Sequence, residues 1–116
     1  KFKLNRSMEV FKGPEFDLLS IRVKNMLFKN KFTVRTNSRM AYNLEENVQI
    51  GIKSIISSPV LPGSVQLTPS GKMIILHRDC QTTGGYPRIL QLSKSSLNHL
   101  SQIKSNEKIK FSLNNL

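Results

Sequence analysis

The segment from Arg78 to Pro87 holds more chemically useful groups than any other part of the sequence. It places a cation, hydroxyl and amide side chains, two adjacent glycines and an aromatic ring in one short stretch. The Arg78 guanidinium can pair with an anion through two hydrogen bonds. Gly84 and Gly85 allow the backbone to adopt positive φ and to come close to a ligand. On the residues alone, the segment fits either a pocket for a carboxylate or urea-like group or a wide turn stiffened by Pro87.

Neighbouring side chains extend the first of these interpretations. The hydroxyls of Thr82 and Thr83, with the adjacent backbone amides, are suited to bind a carboxylate or urea-like oxygen. Tyr86 can stack on a flat ring or donate its hydroxyl. Arg39 interrupts an alternating run, and a cation at a strand end that faces a cleft needs an anionic partner. Tyr42, three residues later, is more typical of a barrel wall than of a ligand contact.

Cysteine and histidine usage argues against nucleophilic or metal chemistry. Cys80 is the one cysteine, so neither an internal disulfide nor a cysteine-built zinc site is expected. No Cys–His pair is evident, and Cys80 is interpreted as a bystander thiol. His77 is expected to flank a strand and His99 to lie on an exposed helix face, neither with a catalytic role. No metal site is predicted.

The charge of the chain is strongly positive. Its 18 basic and 7 acidic residues give a net charge of +11, which points to nucleic acid, a membrane surface or an anionic substrate without choosing among them. The basic residues are scattered and are not interleaved with aromatics, so most are interpreted as solvated surface and nucleic acid is not the expected partner. No apolar run reaches the ~20 residues that span a bilayer, and no signal peptide is recognised. A cytoplasmic location without membrane contact is expected.

The 116 residues fit a single domain that is rich in short strands. Helical spacing is found from Glu15 to about Phe28, and Ser93 can cap a second short helix holding Leu97, Leu100 and Ile103. Thr68-Pro69-Ser70-Gly71 is typical of a hairpin turn. Strand patterns occur at Met8–Phe11, Lys31–Thr36, Met40–Leu44, Val48–Ile52, Ser54–Ile56, Ser64–Leu67, Lys72–Leu76, Pro87–Leu92 and Lys108–Leu113. The pattern favours a mainly β fold with short helices, such as a small barrel.

Five segments, the last of them the tail Leu97–Phe111, together resemble the biotin-dependent carboxyltransferase family, which includes allophanate hydrolase subunit 2, KipA and the C subunit of 5-oxoprolinase. Arg78–Pro87 is similar to its RQTTGGYP signature, most specifically from Gln81 onward. Val60–Gln66 is similar to VPPGAIQ, Ser38–Leu44 to SDRMGYRL, and Gly13-Pro14-Glu15 to its GPQ or GPE step. The tail resembles the family's ending. Ala41 replaces a glycine, Ser38 replaces an acid, and Ser105-Asn106-Glu107 replaces Pro-Gly-Asp.

The resemblance implies a cyclophilin-like β-barrel and, since family members are around three hundred residues long, that residues 1–116 are the C-terminal part of a longer subunit. It implies catalytic roles for Arg78 and Gln81. Substrate contacts are implied for a further set, namely Arg39, Tyr42, Gln66, Thr82, Thr83, Gly84, Gly85 and Tyr86. In these roles the arginines would stabilise charge, and the other groups would hold a planar amide while an oxyanion develops.

The family's chemistry leaves several functions open. A small amide substrate is implied, either 5-oxoproline opened with ATP or urea carboxylated from carboxybiotin, with the first preferred. No cofactor is expected to bind this chain directly; ATP belongs to the complete complex, and biotin use is left open. Expected partners are a sister subunit of the allophanate hydrolase subunit 1 or KipI type and a LamB/YcsF-type subunit. A KipA-type regulatory module without catalysis is the alternative, followed by a basic nucleic-acid-binding domain.

Overall fold

The structure, a computed structural model, describes residues 6–48 and 57–114. Two α-helices, one 3-10 turn and nine strands occur in these ranges. In chain order they are β1 (Ser7–Lys12), the 3-10 turn (Phe16–Leu18), α1 (Ile21–Lys29), β2 (Lys31–Asn37), β3 (Ala41–Leu44), β4 (Ser58–Pro59), β5 (Ser64–Leu67), β6 (Met73–Leu76), β7 (Thr83–Gly84), β8 (Arg88–Leu92), α2 (Lys94–Leu100) and β9 (Lys108–Leu113).

Seven of the strands close into a barrel in the order β1-β8-β5-β6-β3-β2-β9. The barrel closes because β1 pairs in parallel with β9, whereas the other ladders are antiparallel. β4 and β7 form a separate two-stranded ribbon. The mainly β barrel with short helices that the sequence predicts is confirmed.

Alternation along the strands fills the barrel. Met8 and Val10 of β1 are fully buried, as are Ile109 and Phe111 of the neighbouring β9. Successive side chains of a strand point to opposite faces, so these residues share the inner face. α1 packs against β9, and α2 packs against β1 and β8. The described residues contain no helix that is both long and apolar enough to cross a membrane.

The helix predicted over Glu15–Phe28 is wrong for residues 15–20. Ser20 is extended and its Oγ accepts a hydrogen bond from the Val23 amide, so it caps a helix that begins at Ile21. Glu15 lies before the 3-10 turn and so does not serve the dipole of α1. In the second helix Ser93 is the N-cap as predicted, but α2 ends at Leu100 and Ile103 is buried in the turn beyond it.

Most of the predicted strands and turns are confirmed. β5 and β6 form the expected hairpin, in which Thr68 Oγ1 accepts from the Lys72 amide and Gly71 has φ of +93°. The candidate strand at Val48–Ile52 begins outside any strand, and residues 49–52 lie outside the described residues, as does the candidate at 54–56. Met40 precedes β3 and is exposed, so the alternation there begins one residue later than predicted.

Candidate functional site

The loop between β6 and β8 brings two motif segments into contact. The backbone amide of His77 donates to the Met40 carbonyl at 2.9 Å, and that of Asp79 donates to the Arg39 carbonyl at 2.8 Å. Arg39 Nε and Asp79 Oδ2 form an ion pair at 2.8 Å. The anionic partner that Arg39 was expected to need is therefore present in the chain itself. The segment around Arg39 and the Arg78–Pro87 segment form one surface.

A third motif segment meets the same loop through the ribbon. Ser58 lies opposite Gly84, Pro59 lies opposite Thr83, and the Val60 amide donates to the Thr82 carbonyl at 3.1 Å. The ribbon thus ties the Val60–Gln66 stretch to the loop. Segments that are far apart in sequence converge here because two short strands pair, a contact that single-strand patterns do not predict.

Gln66 lies beneath this ribbon with an unused hydrogen-bond donor. Its side chain is 2% exposed, and its Nε2 is buried without a partner among the described residues. Val65 and Leu67 on either side belong to the core, so Gln66 points to the outer face of the barrel, where the ribbon covers it. An unpaired buried donor costs about 1–3 kcal/mol, so this amide is poised for an acceptor that residues 6–48 and 57–114 do not supply.

Gly84 matters for the space that it leaves above Gln66 rather than for its backbone dihedral angles. A Cβ at Gly84 would stand 2.5 Å from Gln66 Nε2. Among the described residues the glycines with positive φ are Gly63 and Gly71, so Gly84 and Gly85 do not use the positive φ that glycine allows. Gly84 allows the ribbon to lie close to Gln66, because a side chain at this position would have to displace the amide group below it.

A charged clamp fixes the ribbon and the start of β8. Glu15 accepts from Arg88 Nε at 2.9 Å and from Arg88 Nη2 at 2.8 Å, while Arg88 Nη1 donates to the Pro59 carbonyl at 2.8 Å. The hydrogen bond from the Arg88 side chain lowers the pKa of Glu15 despite partial burial. This clamp explains the Gly13-Pro14-Glu15 motif, since a Cβ at Gly13 would lie 2.2 Å from the Arg88 carbonyl oxygen.

Sequence reasoning missed Arg88, which was assigned only to a strand. The available signal was the pairing of a motif acid at Glu15 with a cation directly after the Gln81–Pro87 run. The sequence gives no such signal for Pro59, because it joins the clamp through its backbone carbonyl and not through its side chain.

Tyr42 and His77 form a separate pair in the barrel interior. Their rings stack with centroids 5.3 Å apart and an interplanar angle of 21°, and both residues are buried. Neither ring nitrogen of His77 has a partner in the described part of the chain. Burial, with a smaller contribution from Arg78, lowers the pKa of His77, so its imidazole is neutral at pH 7. Burial likewise raises the pKa of Tyr42.

The predicted site residues therefore fall into two groups. Gln81, Thr82, Thr83 and Tyr86 are exposed along the loop, with Gly84, Gly85 and Gln66 at the ribbon. Arg39 and Arg78 lie at the other end of the loop. Arg78 Nη2 donates to Asn98 Oδ1, and the Arg39 side chain is 83% exposed.

The surroundings of Cys80 do not favour nucleophilic chemistry. Burial raises the pKa of the Cys80 thiol, so it is protonated at neutral pH and is a poor nucleophile. The described residues contain no cluster of three or more His, Cys, Asp or Glu side chains that could hold a metal ion. The site offers hydrogen-bond donors, hydroxyls and two guanidinium groups.

Comparison with known proteins agrees with this arrangement of motifs. Residues 2–113 match the family described as carboxyltransferase domain, subdomain A and B. The C subunit of 5-oxoprolinase from Escherichia coli strain K12 is 32% identical over 102 residues, which cover 85% of this chain and 33% of that protein. Its Haemophilus influenzae counterpart is 39% identical over 88 residues, covering 72% and 28%.

The chain spans about a third of the length of these curated relatives. The Kluyveromyces lactis urea carboxylase superposes with a TM-score of 0.84 over 96% of this chain and 11% of that one, at 16% identity, and this likeness shows the fold alone. The match of the family over nearly the whole sequence is decisive: the chain belongs to the carboxyltransferase domain family, subdomain A and B.

Proposed function

We propose that this chain supplies part of an amide-binding site in a protein similar to the C subunit of 5-oxoprolinase. The observation that carries the proposal is the buried Gln66 Nε2, a donor without a partner among the described residues, directly under the motif loop at Gly84. A buried donor of this kind is stabilised when a ligand carbonyl accepts from it. The preference for 5-oxoproline is supported by the two curated relatives, since both are 5-oxoprolinase proteins by name.

The proposed roles follow from the chemistry of the groups. Gln66 and Gln81 donate to the substrate carbonyl, and the hydroxyls of Thr82 and Thr83 bind the rest of the amide. Tyr86, which is exposed on the same loop, covers one face of the ring. Access to Gln66 requires a displacement of the β4–β7 ribbon, which joins through two residue pairs. Preorganised donors of this kind stabilise negative charge as it develops on the carbonyl oxygen.

The arginines at the other end of the loop supply positive charge to the same reaction. Arg78 donates to the neutral Asn98 side chain, so its charge is not cancelled there. Arg39 is already paired with Asp79. We therefore assign the larger electrostatic role to Arg78 and a positioning role to Arg39, which holds the loop through Asp79.

The remaining chemistry belongs to a larger complex. We propose that ATP is bound and cleaved by other subunits, a sister subunit of the allophanate hydrolase subunit 1 or KipI type and a LamB/YcsF-type subunit. A ureido group, as in urea or biotin, carries a planar carbonyl flanked by nitrogens, so it fits the same set of donors. Carboxyl transfer to urea is therefore the competing reaction for this site.

Reconstitution tests the proposal. The full-length subunit is assembled with its sister subunits, and ATP-dependent release of glutamate from 5-oxoproline is measured beside ATP-dependent carboxylation of urea. We expect glutamate release that requires this subunit and that falls in a Gln66→Met variant. Gln102→Met, which changes an exposed turn residue, is the matched control. Tight assembly with no turnover of either amide would refute the proposal and favour the KipA-type regulatory module.

A further inference from the structure

All acidic side chains of this chain are already engaged within it. The sequence has seven acidic residues, and six of them form ion pairs. The seventh, Glu9, accepts a hydrogen bond from Asn114 Nδ2 at 2.6 Å. The six ion pairs are Glu107 with Arg6, Asp17 with Lys24, Glu45 with Arg35, Asp79 with Arg39, Glu15 with Arg88 and Glu46 with Lys108. The positive excess must therefore be balanced from outside the chain.

Three lysines without an acidic partner among the described residues lie near the junction of α1 and β2. Lys31 of β2 lies directly opposite Lys110 of β9, and both are exposed. Like charges in this position repel each other, since directly opposed side chains lie about 5 Å apart. Lys29, the last residue of α1, adds a third charge. Within the described residues none of the three forms an ion pair.

The outer face of α1 continues this surface and adds apolar groups. Ile21, Arg22, Asn25 and Lys29 are exposed and lie on one side of the helix, which contains no acidic residue. Ile21 is 76% exposed, and Leu18, just before the helix, is 59% exposed. We call the set Leu18, Ile21, Arg22, Lys29, Lys31 and Lys110 the α1 face.

We infer that the α1 face is the docking surface for an acidic protein partner. The opposed lysines are unfavourable in the isolated chain and become favourable when carboxylates lie against them. Large aliphatic side chains beside the cations suit a protein interface, which has an apolar centre and a charged rim. A surface for single-stranded nucleic acid would instead combine cations with stacking aromatics. If the proposed function holds, this partner is the sister subunit.

A charge reversal distinguishes a binding role from a structural one. Lys31→Glu creates an opposite-charge pair with Lys110 across the two strands, so we expect a higher melting temperature for the isolated chain. The same variant should bind the sister subunit about tenfold more weakly. Lys72→Glu, at the β5–β6 turn, makes the same change in net charge and should leave the affinity unchanged.

The experiment is calorimetric titration of the full-length subunit with its sister subunit, from about 50 to about 300 mM NaCl. Support would be a salt-dependent affinity that is lost in Lys31→Glu and weakened in Ile21→Ser, but kept in Lys72→Glu. Equal affinities for all variants would overturn the inference. The inference would also be overturned if Lys31→Glu left binding of the sister subunit unchanged but weakened binding to duplex DNA, to vesicles of phosphatidylcholine and phosphatidylglycerol, or to a second copy of the chain.

The two proposals fail in different ways. A complex that depends on Lys31 but turns over no amide refutes the proposed function and leaves the α1 face supported. A complex that releases glutamate and assembles equally well with Lys31→Glu refutes the α1 face alone.

Discussion

Gln66→Met is expected to stabilise the isolated chain while it damages the site. The substitution keeps an unbranched side chain of similar length and removes a buried donor that has no partner in the described residues. Relief of such a donor is worth about 1–2 kcal/mol. A chain of this length unfolds with an entropy of about 0.24 kcal/mol/K, so the melting temperature should rise by about 4–8 °C.

The assay is thermal unfolding followed by circular dichroism, with Gln91→Met as the matched control. Gln91 lies on β8, and its side chain accepts from Ser64 Oγ at 3.1 Å and donates to the Pro62 carbonyl at 3.0 Å. The same substitution there removes these two hydrogen bonds and a third, from Gln91 Nε2 to the Leu92 carbonyl at 3.3 Å, and should lower the melting temperature. If Gln66→Met lowered the melting temperature as much as Gln91→Met, the amide would be satisfied in the native chain and the reasoning would be refuted.

Three further predictions concern the loop, the clamp and the buried histidine. Gly84→Ala should destabilise the chain by about 1–2 kcal/mol through its clash with Gln66 Nε2. In a Gln66→Ala background the same substitution should cost nothing. Equal destabilisation in both backgrounds, measured by urea unfolding, would contradict the clash. Glu15→Gln should lower the free energy of unfolding at pH 7 by about 2 kcal/mol. Because the pKa of Glu15 in the folded chain is lowered from 4.5, the wild type should lose this advantage as the pH falls below about 4.5. The same difference in unfolding free energy between the two proteins at pH 3 and pH 7 would contradict this prediction. Because burial lowers the pKa of His77 from 6.5, the stability that the neutral imidazole contributes should be fully present above pH 6.5 and should decline as the pH falls through the pKa of the folded state. His77→Phe should reduce this decline in unfolding curves. An identical decline in the variant would show that other groups cause it.

Local patterns predicted the elements of the fold better than their junctions. Strand-like runs predicted β1, β2, β5, β6, β8 and β9, and burial alternates most clearly along β1 and β9, where one face of each strand is in the barrel. The helix start was misplaced because the cap at Ser20 competes with an earlier start at Pro14, and both fit local rules. The parallel β1–β9 closure joins opposite ends of the sequence, so no local signal carried it.

The candidate site was predicted as a list of residues, not as a geometry. The motif segments do meet, through the contact of Arg39 with Asp79 and the pairing of the ribbon. The sequence did not predict that Arg88 and Glu15 clamp the ribbon, since their partnership spans 73 positions. It also did not predict that Tyr42 packs on His77 inside the barrel, because the inward face of β3 is defined only by its neighbours. The roles of these residues in binding stay predictions.

The central claim is that Gln66 binds the substrate amide, and one kinetic comparison tests it most directly. The measurement is kcat/KM for 5-oxoproline in the assembled complex, with Gln66→Met compared with Gln102→Met. We predict a loss of at least about tenfold for Gln66→Met, since one lost hydrogen bond to developing charge is worth more than about 1.4 kcal/mol. We predict no loss for Gln102→Met. Equal kcat/KM for both variants, in complexes assembled to the same extent, would contradict the account.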